Sequence, residues 1–516
     1  MADEYAIARI QAANIDGRTE NARYRQNELQ ALHKVLRENA DAICDAIQKD
    51  AQGPKVEVDA EYYMGMLAVR DAYKSLDFDQ ELKEEYQIAR GKDNAERRIK
   101  YGIVLIRPTT HTRFFSIVSP LALALATGNC VLLELPQTLS HLDQILRDCL
   151  TKVLDQDTFV IASDEVKDHE LIGGCLLVDQ TGLVRIDTPR TLTSRPDVQT
   201  IAVVDRSADI QQAAKTIVAA RFAYGGSSPY SPDIVLINEF KKREFFEACV
   251  HYASQYIHAQ IPSKRTSSDL VGRTRDQFKD AEIAGTVQIW GSRDYMIADI
   301  SNRDCPLLDI KISGCHLAIA PCSSLMDVIA LIQTKQVCQS PTRTVASNRT
   351  RTPFLASYLF SDPPTAKFLS QYINSHVSFV NQIPLTLLTY PVGPATPSGH
   401  VLSPRTRYTT AMFTQSRPQY AQSLPVDVQL AASSLDVGIK SSSDQNKAKL
   451  KALKPEQLRK LATVALPPTG QGKGFSIGFF EQGILIGLGG AAAVVLPVIG
   501  YATWFAGSRA WRALRK

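Results

Sequence analysis

The chain of 516 residues lacks the cysteine patterns of a disulfide framework or a zinc site. It has nine cysteines, an odd number, and no two of them form a Cys-x-x-Cys pair. These features favour reduced, mostly buried thiols in a cytosolic protein. The first residues also lack the apolar run of a secretory signal peptide, which agrees with that location.

The sequence also has little net charge for its length. It contains 58 Lys and Arg residues against 53 Asp and Glu residues, a formal balance of +5. The basic residues are dispersed along the chain, so nucleic acid is not an expected partner. The length allows two to four domains, and a hydrophobic content of 44% is ordinary for a globular protein.

Only one stretch of the sequence is long and apolar enough to suggest a membrane span. Residues 483–507 contain no charge, and about 20 such residues cross the hydrocarbon layer as a helix. Tyr501 and Trp504 suit the membrane interface, and four basic residues follow: Arg509, Arg512, Arg515 and Lys516. The sequence therefore predicts a tail anchor with a cytosolic body, in the endoplasmic reticulum, mitochondrial outer membrane or peroxisome. A buried hydrophobic helix is the alternative interpretation.

The rest of the chain alternates short apolar runs with helical patterns. Residues 23–50 predict one amphipathic helix, because their apolar residues recur at spacings of three and four. Residues 97–106 predict a strand, and residues 120–126 a helix. Such alternation is typical of βαβ units, so the sequence predicts an α/β fold with parallel sheets.

Several motifs resemble those of the aldehyde dehydrogenase superfamily, and especially its class 3 (fatty aldehyde) branch. Residues 120–131 read PLALALATGNCV, and residues 221–233 read RFAYGGSSPYSPD. Residues 391–399 have the spacing of a Pro- and Gly-containing motif of the family, and residues 413–418 resemble its closing motif. The resemblance covers about residues 23–418, and the apolar tail also fits this branch.

The resemblance implies an aldehyde dehydrogenase-like fold with two parallel-sheet α/β domains, an oligomerisation hairpin and a C-terminal transmembrane helix. It implies five regions: an NAD-binding-like domain (1–205, with a hairpin strand near 97–106), a catalytic-like domain (206–395), a closing and oligomerisation segment (396–418), a linker with a short amphipathic helix (419–475) and the transmembrane tail (483–507). It further implies a homodimer, or a heterodimer with an active relative.

The residue at the family's nucleophile position cannot act as one. Residues 221–233 match the segment that carries the catalytic cysteine, and the ungapped match places Pro229 there. A thiolate is needed to form the thiohemiacetal that expels hydride. Ser227 and Ser228 are interpreted as turn residues. Cys315 remains a candidate for a replacement nucleophile.

Two further catalytic positions are changed. The resemblance places His111 at the oxyanion-donating asparagine, and an imidazole can still donate a hydrogen bond to an oxyanion. It places Arg195 near the general-base glutamate, where a guanidinium cannot accept a proton at neutral pH. The sequence has no glutamate between Glu170 and Glu239, so a small shift in register would not restore this base.

The implied cofactor positions are also altered. Glu134 replaces a lysine that helps to hold the adenosine ribose, which reverses the charge offered to an anionic ligand. Gly182 is the one glycine left in the turn that faces the pyrophosphate. Lys311 and Ser313 replace the glutamate and phenylalanine that hold the nicotinamide ribose and ring. No cofactor is therefore predicted, although NAD or NADP would be required if the chain were active.

Three hypotheses follow from these positions. The first is a catalytically inactive, membrane-anchored homologue with a scaffolding or binding role, because nucleophile, base, oxyanion donor and cofactor contacts are all replaced. The alternative is an active NAD(P)-dependent fatty aldehyde dehydrogenase that uses other residues. The third is a sensor that binds a lipid or an aldehyde without turnover.

Overall fold

A computed structural model describes residues 2–182, 190–259, 269–292, 295–338, 353–394, 408–422, 455–468, 470 and 479–514. The chain divides into two compact units, Met1–Ala421 and Gln422–Lys516. The predicted α/β fold with parallel sheets is confirmed. Part of the expected closing segment (396–407) and most of the expected linker (423–454) lie outside the described residues.

The helices of the first unit are spread along its length, and the first five precede its first strand. They are α1 (Ala2–Asp16), α2 (Ala22–Glu38), α3 (Ala40–Ala51), α4 (Lys55–Lys74), α5 (Phe78–Glu85), α6 (Arg113–Ala126), α7 (His141–Val153), α8 (His169–Gly174), α9 (Ile210–Phe222), α10 (Lys242–Ala259), α11 (Asp269–Ile283), α12 (Leu325–Cys338), α13 (Pro363–Tyr372) and α14 (Leu385–Thr389).

The strands are short and mostly buried. They are β1 (Arg98–Lys100), β2 (Ile103–Arg107), β3 (Cys130–Glu134), β4 (Phe159–Ala162), β5 (Leu176–Asp179), β6 (Thr191–Thr193), β7 (Ile201–Val204), β8 (Ile234–Asn238), β9 (Val287–Gly291), β10 (Met296–Ile300), β11 (His316–Cys322), β12 (Ser357–Phe360), β13 (Ser378–Val380) and β14 (Thr414–Ser416).

The first sheet has five parallel strands in the order β4-β3-β2-β5-β6. All residues of β2 and β3 are buried, as expected for a parallel sheet that is covered on both faces. The chain moves from β2 to β3 and β4 on one side, and then to β5 and β6 on the other. In such sheets ligands bind beyond the carboxyl ends of the strands where this order reverses, here between β2 and β5.

The second sheet has seven strands in the order β13-β12-β7-β8-β11-β10-β9. Its pairings are parallel, except that β9 pairs antiparallel with β10 at one edge. Helix α9 and the 221–233 segment connect β7 to β8 at the centre of this sheet. The centre of the second sheet therefore fixes both ends of the segment that carries Pro229.

Three local sequence predictions were wrong in their boundaries. The predicted helix over residues 23–50 is two helices, because Asn39 leaves helical geometry and both its N–H and its side-chain amide donate to the carbonyl of Val35. The single strand expected near 97–106 is β1 and β2, which are separated at Gly102 with a φ of 111°. Strand β1 pairs with β14, far away in sequence. Helix α6 begins at Arg113, before the predicted residue 120.

The second unit contains the helices α15 (Pro455–Ala462) and α16 (Phe479–Leu514). Within α16, Glu481–Ser508 is long and apolar enough to cross a membrane, and this segment is not buried in the protein. The predicted C-terminal apolar helix is thus confirmed as a candidate transmembrane span. It extends beyond the predicted residues 483–507 at both ends.

Candidate functional site

A buried ionic cluster fixes the 221–233 segment. The guanidinium of Arg221 is fully buried and lies 3.4 Å from a carboxylate oxygen of Asp233. It also donates to the carbonyl oxygens of Gly226, Ile312 and Gly314 at 2.8–3.0 Å. These bonds satisfy the guanidinium, which offsets much of the cost of burying its charge.

Asp233 connects this cluster to the turn formed by residues 311–315, the 311–315 turn. The ammonium of Lys311 lies 2.8 Å from its second carboxylate oxygen, and the N–H groups of Thr200 and Ile312 donate to the carboxylate at 2.7 and 3.0 Å. Burial lowers the pKa of Lys311, and the charge of Asp233 opposes that shift. A single carboxylate therefore receives two cations and two amide groups.

Pro229 is buried within this arrangement. Its carbonyl oxygen accepts hydrogen bonds from the Lys311 ammonium at 2.6 Å and from the Thr200 hydroxyl at 3.1 Å. The structure therefore brings together two of the residues singled out from the sequence, Pro229 and Lys311. The position that the sequence predicts for the nucleophile is thus a proline whose backbone carbonyl is bound by Lys311 of the 311–315 turn.

The 311–315 turn packs directly against the 221–233 segment. Gly314 donates its N–H to the carbonyl of Gly226 at 3.0 Å, and a Cβ atom on Gly226 would lie 2.1 Å from the Gly314 oxygen. The backbone N–H of Ser313 donates to the Thr274 hydroxyl at 3.3 Å. Cys315 is half-buried at the end of this turn. This contact excludes a side chain at position 226.

His111 lies beside Ser227, in the middle of the 221–233 segment. Its Nε2 atom is 2.9 Å from the carbonyl oxygen of Leu388, and its Nδ1 atom is 3.2 Å from the Ser227 hydroxyl. Burial lowers the pKa of His111 to about 4, so the ring is neutral and its Nε2–H donates to the carbonyl. The Ser227 hydroxyl also lies 2.7 Å from the Tyr224 carbonyl oxygen, so its single hydrogen is donated either to that oxygen or to the Nδ1 atom of His111. An imidazole with so low a pKa is a weak general base at neutral pH.

Helix α4 binds the N-terminus of α6 and the 221–233 segment through two carboxylates that the sequence analysis missed. Glu61 accepts the N–H of Phe114 at 2.8 Å, at the N-terminus of α6, where the helix dipole favours negative charge. Glu57 accepts the N–H of Tyr224 at 2.7 Å. Burial raises the pKa of Glu61 to about 7, although its hydrogen bonds to backbone N–H groups oppose this shift.

Arg195 lies on the loop after β6, partly exposed, and pairs with Asp197 at 3.6 Å. Among the described residues, no hydrogen bond or ion pair joins it to Pro229 or His111. The residue expected near the general base is therefore not joined by a hydrogen bond or an ion pair to the residues expected at the nucleophile and oxyanion-donor positions.

At the carboxyl ends of the first sheet's strands, Glu134 forms a buried ion pair with Arg107. The two residues end β3 and β2, their nearest atoms are 2.6 Å apart, and each side chain is 7% exposed. Both also bind the backbone of Val166: Glu134 accepts its N–H at 3.0 Å, and Arg107 donates to its oxygen at 2.7 Å. Arg107 was missed, although its place at the end of an apolar run, beside a strand that ends in Glu134, was a usable signal.

Gly182 lies in a turn that packs on protein atoms. Its φ is 69°, and a Cβ atom there would lie 2.7 Å from Pro196 and 2.8 Å from the oxygen of Ser194. The neighbouring Gln180 is buried, and its side-chain amide donates to the carbonyl of Ser116 and to the Tyr408 hydroxyl at 3.0 and 3.1 Å. The chain's own side chains therefore occupy space at the carboxyl end of β5.

Curated relatives of the chain are aldehyde dehydrogenases. Family 3 member B1 of Bos taurus is 23% identical over 358 residues, which cover 64% of this chain and 75% of the relative. The family 3 protein comG of Dictyostelium discoideum is 24% identical over 343 residues, which cover 62% of this chain and 73% of the relative. No protein-family model matches the chain.

Solved structures agree with these relatives. The substrate-bound AldH of Staphylococcus aureus superposes with a TM-score of 0.62 at 17% identity, covering 81% of this chain and 93% of that one. The chain has the aldehyde dehydrogenase fold. A glyceraldehyde-3-phosphate dehydrogenase, GapN, from Methanocaldococcus jannaschii gives a TM-score of 0.60 at 14% identity, again covering 81% and 93%. Relatives and fold together support a place in the aldehyde dehydrogenase superfamily.

The ion pair at the edge of the first sheet yields a stability prediction. Glu134→Leu leaves the Arg107 guanidinium buried without its main partner, so we expect unfolding free energy to fall by about 3 kcal/mol. The double variant Arg107→Met with Glu134→Leu has neither charge, so its unfolding free energy should fall much less. Urea unfolding of the full chain in detergent measures both. A double variant at least as unstable as Glu134→Leu would contradict this account.

Glu61 yields a prediction about pH. Its pKa of about 7 in the folded chain lies above the ordinary value of 4.5, so the folded state binds its proton more tightly than the unfolded state. Stability from this group is therefore present at low pH and lost as pH rises through about 7, by up to about 3 kcal/mol. In Glu61→Gln this loss should be absent. Urea unfolding midpoints of the native chain and of Glu61→Gln, measured from pH 5 to about pH 8, test this prediction. The same dependence of the midpoint on pH in both proteins would refute it.

Proposed function

We propose that the chain is a membrane-anchored aldehyde dehydrogenase-like protein that does not oxidise aldehydes and instead acts as a scaffold or binding protein. The observation that carries this proposal is the position and environment of Pro229. It matches the position of the family's catalytic cysteine, it is buried, and its carbonyl is bound by Lys311 and Thr200. Thiohemiacetal formation at this position is chemically impossible, because proline offers no nucleophile.

The residues near the expected cofactor positions do not fit a dinucleotide. Lys311 replaces the glutamate that holds the nicotinamide ribose, and its ammonium is bound to Asp233. Glu134 brings a carboxylate to the sheet edge where an anionic cofactor binds, and it pairs there with Arg107. A bound dinucleotide would have to displace these contacts at a considerable electrostatic cost.

The anchor and the assembly complete the proposal. Helix α16 supplies a candidate span that holds the protein at a membrane of the endoplasmic reticulum, mitochondrion or peroxisome, with the larger unit in the cytosol. A relative from Rattus norvegicus is named as a dimeric aldehyde dehydrogenase. We extend that property to this chain as a homodimer or as a heterodimer with an active relative. A scaffolding role then needs the fold and the anchor but no chemistry.

A dehydrogenase assay tests the proposal. We expect the full chain, in detergent or reconstituted vesicles, to form no NADH or NADPH from medium- or long-chain aldehydes. Neither cofactor should raise its melting temperature, because a ligand that binds only the folded state would do so. Turnover that requires NAD or NADP would refute the proposal.

The variant Pro229→Cys serves as the matched control for this assay. We expect it to remain inactive, because a restored thiol still lacks a general base and an open cofactor site. Its folded state can be compared with that of the native chain by urea unfolding. Activity in Pro229→Cys, with none in the native chain, would show that only the nucleophile had been lost.

One observation favours the alternative, an active NAD(P)-dependent enzyme that forms carboxylic acids. Cys315 follows the Gly314 contact and is half-buried close to the 221–233 segment. If this thiol replaced the nucleophile, an aldehyde-like thiol reagent would label it, and Cys315→Ser would abolish cofactor-dependent turnover. We expect no such turnover in either protein. Labelling of Cys315 together with turnover lost in Cys315→Ser would establish the alternative.

A further inference from the structure

The helices α2 and α4 form a groove on the surface of the first unit, away from the 221–233 segment. Its volume is about 430 Å³, and Leu29 and Val69 lie buried at its base. Tyr73 forms part of its wall, where its hydroxyl accepts hydrogen bonds from the side-chain amides of Gln26 and Gln30 at 2.9 and 3.0 Å. The groove therefore has an apolar base and a fixed aromatic side.

The rim of the groove is strongly basic. Lys34 and Arg37 lie on α2, while Arg70 and Lys74 lie on α4, and all four are exposed. The spacings of three and four residues place each pair on one face of its helix. Within the described part of the chain, no ion pair joins any of these four cations to a carboxylate. His33 also lines the groove. Its pKa is lowered by burial and, to a smaller extent, by the charges of Arg37 and Arg70.

Such a cluster repels itself unless an anion offsets the charge. The four cations come from segments separated in sequence, so only the packing of α2 on α4 gathers them. A ligand that fits must carry a compact negative group for the rim and an apolar portion for the wall that Tyr73 forms. A membrane lipid with a phosphate headgroup has both parts in this order. Each basic residue near an anionic membrane surface contributes about 1 kcal/mol to binding.

We propose that the groove between α2 and α4 binds an anionic phospholipid, with its phosphate at the basic rim and its first apolar carbons against the ring of Tyr73. The groove then gives the larger unit its own contact with the membrane that α16 enters. The assignment does not depend on whether the dehydrogenase site is active.

Calorimetric titration of the full chain in an uncharged detergent tests this assignment. The probes are dihexanoyl phosphatidic acid, dihexanoyl phosphatidylcholine and inorganic phosphate. We expect saturable binding of the phosphatidic acid, much weaker binding of inorganic phosphate, and none of the phosphatidylcholine. The variant Lys34→Glu with Arg70→Glu should weaken binding of the phosphatidic acid by about tenfold or more.

The matched control carries the same charge change on other helices. Lys215→Glu with Lys367→Glu alters exposed residues of α9 and α13 and should change the affinity by less than about twofold. The milder pair Arg37→Gln with Lys74→Gln tests the rim again if charge reversal disturbs folding. It should also weaken binding.

Four results would overturn the assignment. Equal losses in the groove and control variants would show a general charge effect. Inorganic phosphate that binds as tightly as the lipid would show a site for a soluble anion. Tighter binding of a Glu-rich amphipathic peptide, lost in the groove variant, would show a protein-docking site. Absence of phosphatidic acid binding to the native chain would exclude a lipid site outright.

Discussion

The buried carboxylate of Asp233 is the interaction on which the candidate site depends. It binds Arg221 from α9, Lys311 from the 311–315 turn and the backbone of Thr200 before β7. Three separate segments therefore meet at one charge: the 221–233 segment, the 311–315 turn and the residues before β7. Loss of the Asp233 carboxylate would leave the buried Arg221 guanidinium without its ionic partner, a change that costs several kcal/mol. The same cluster that fixes these segments also holds Pro229 in place.

Two regions of the site use a similar electrostatic arrangement. At the first sheet, Glu134 neutralises Arg107, and at the second, Asp233 neutralises Lys311. An enzyme that binds an anionic cofactor benefits from cations that remain available to the ligand. Here the chain supplies its own carboxylates to both cations. Glu134 and Lys311, which the sequence singled out separately, thus share one physical feature. Each takes part in an ion pair in which a positive charge is compensated within the protein.

Local patterns predicted much of the fold, and tertiary contacts explain what they missed. Apolar runs such as residues 130–134 indicated buried parallel strands, and the uncharged stretch near the C-terminus indicated the long helix. The break at Asn39 interrupts a stripe that remains apolar on both sides, so periodicity could not reveal it. The basic groove joins residues of two helices. The dispersed cations of the sequence therefore gave no sign of it.

The close contact of Gly226 and Gly314 bears on how this protein can diverge. A Cβ atom at position 226 would overlap the backbone of the other glycine, and both residues have φ values that favour glycine. Substitutions at neighbouring residues that lack such a contact can therefore accumulate more readily than substitutions at this pair. Descendants of such a protein would be recognised by two retained glycines after every catalytic side chain had changed.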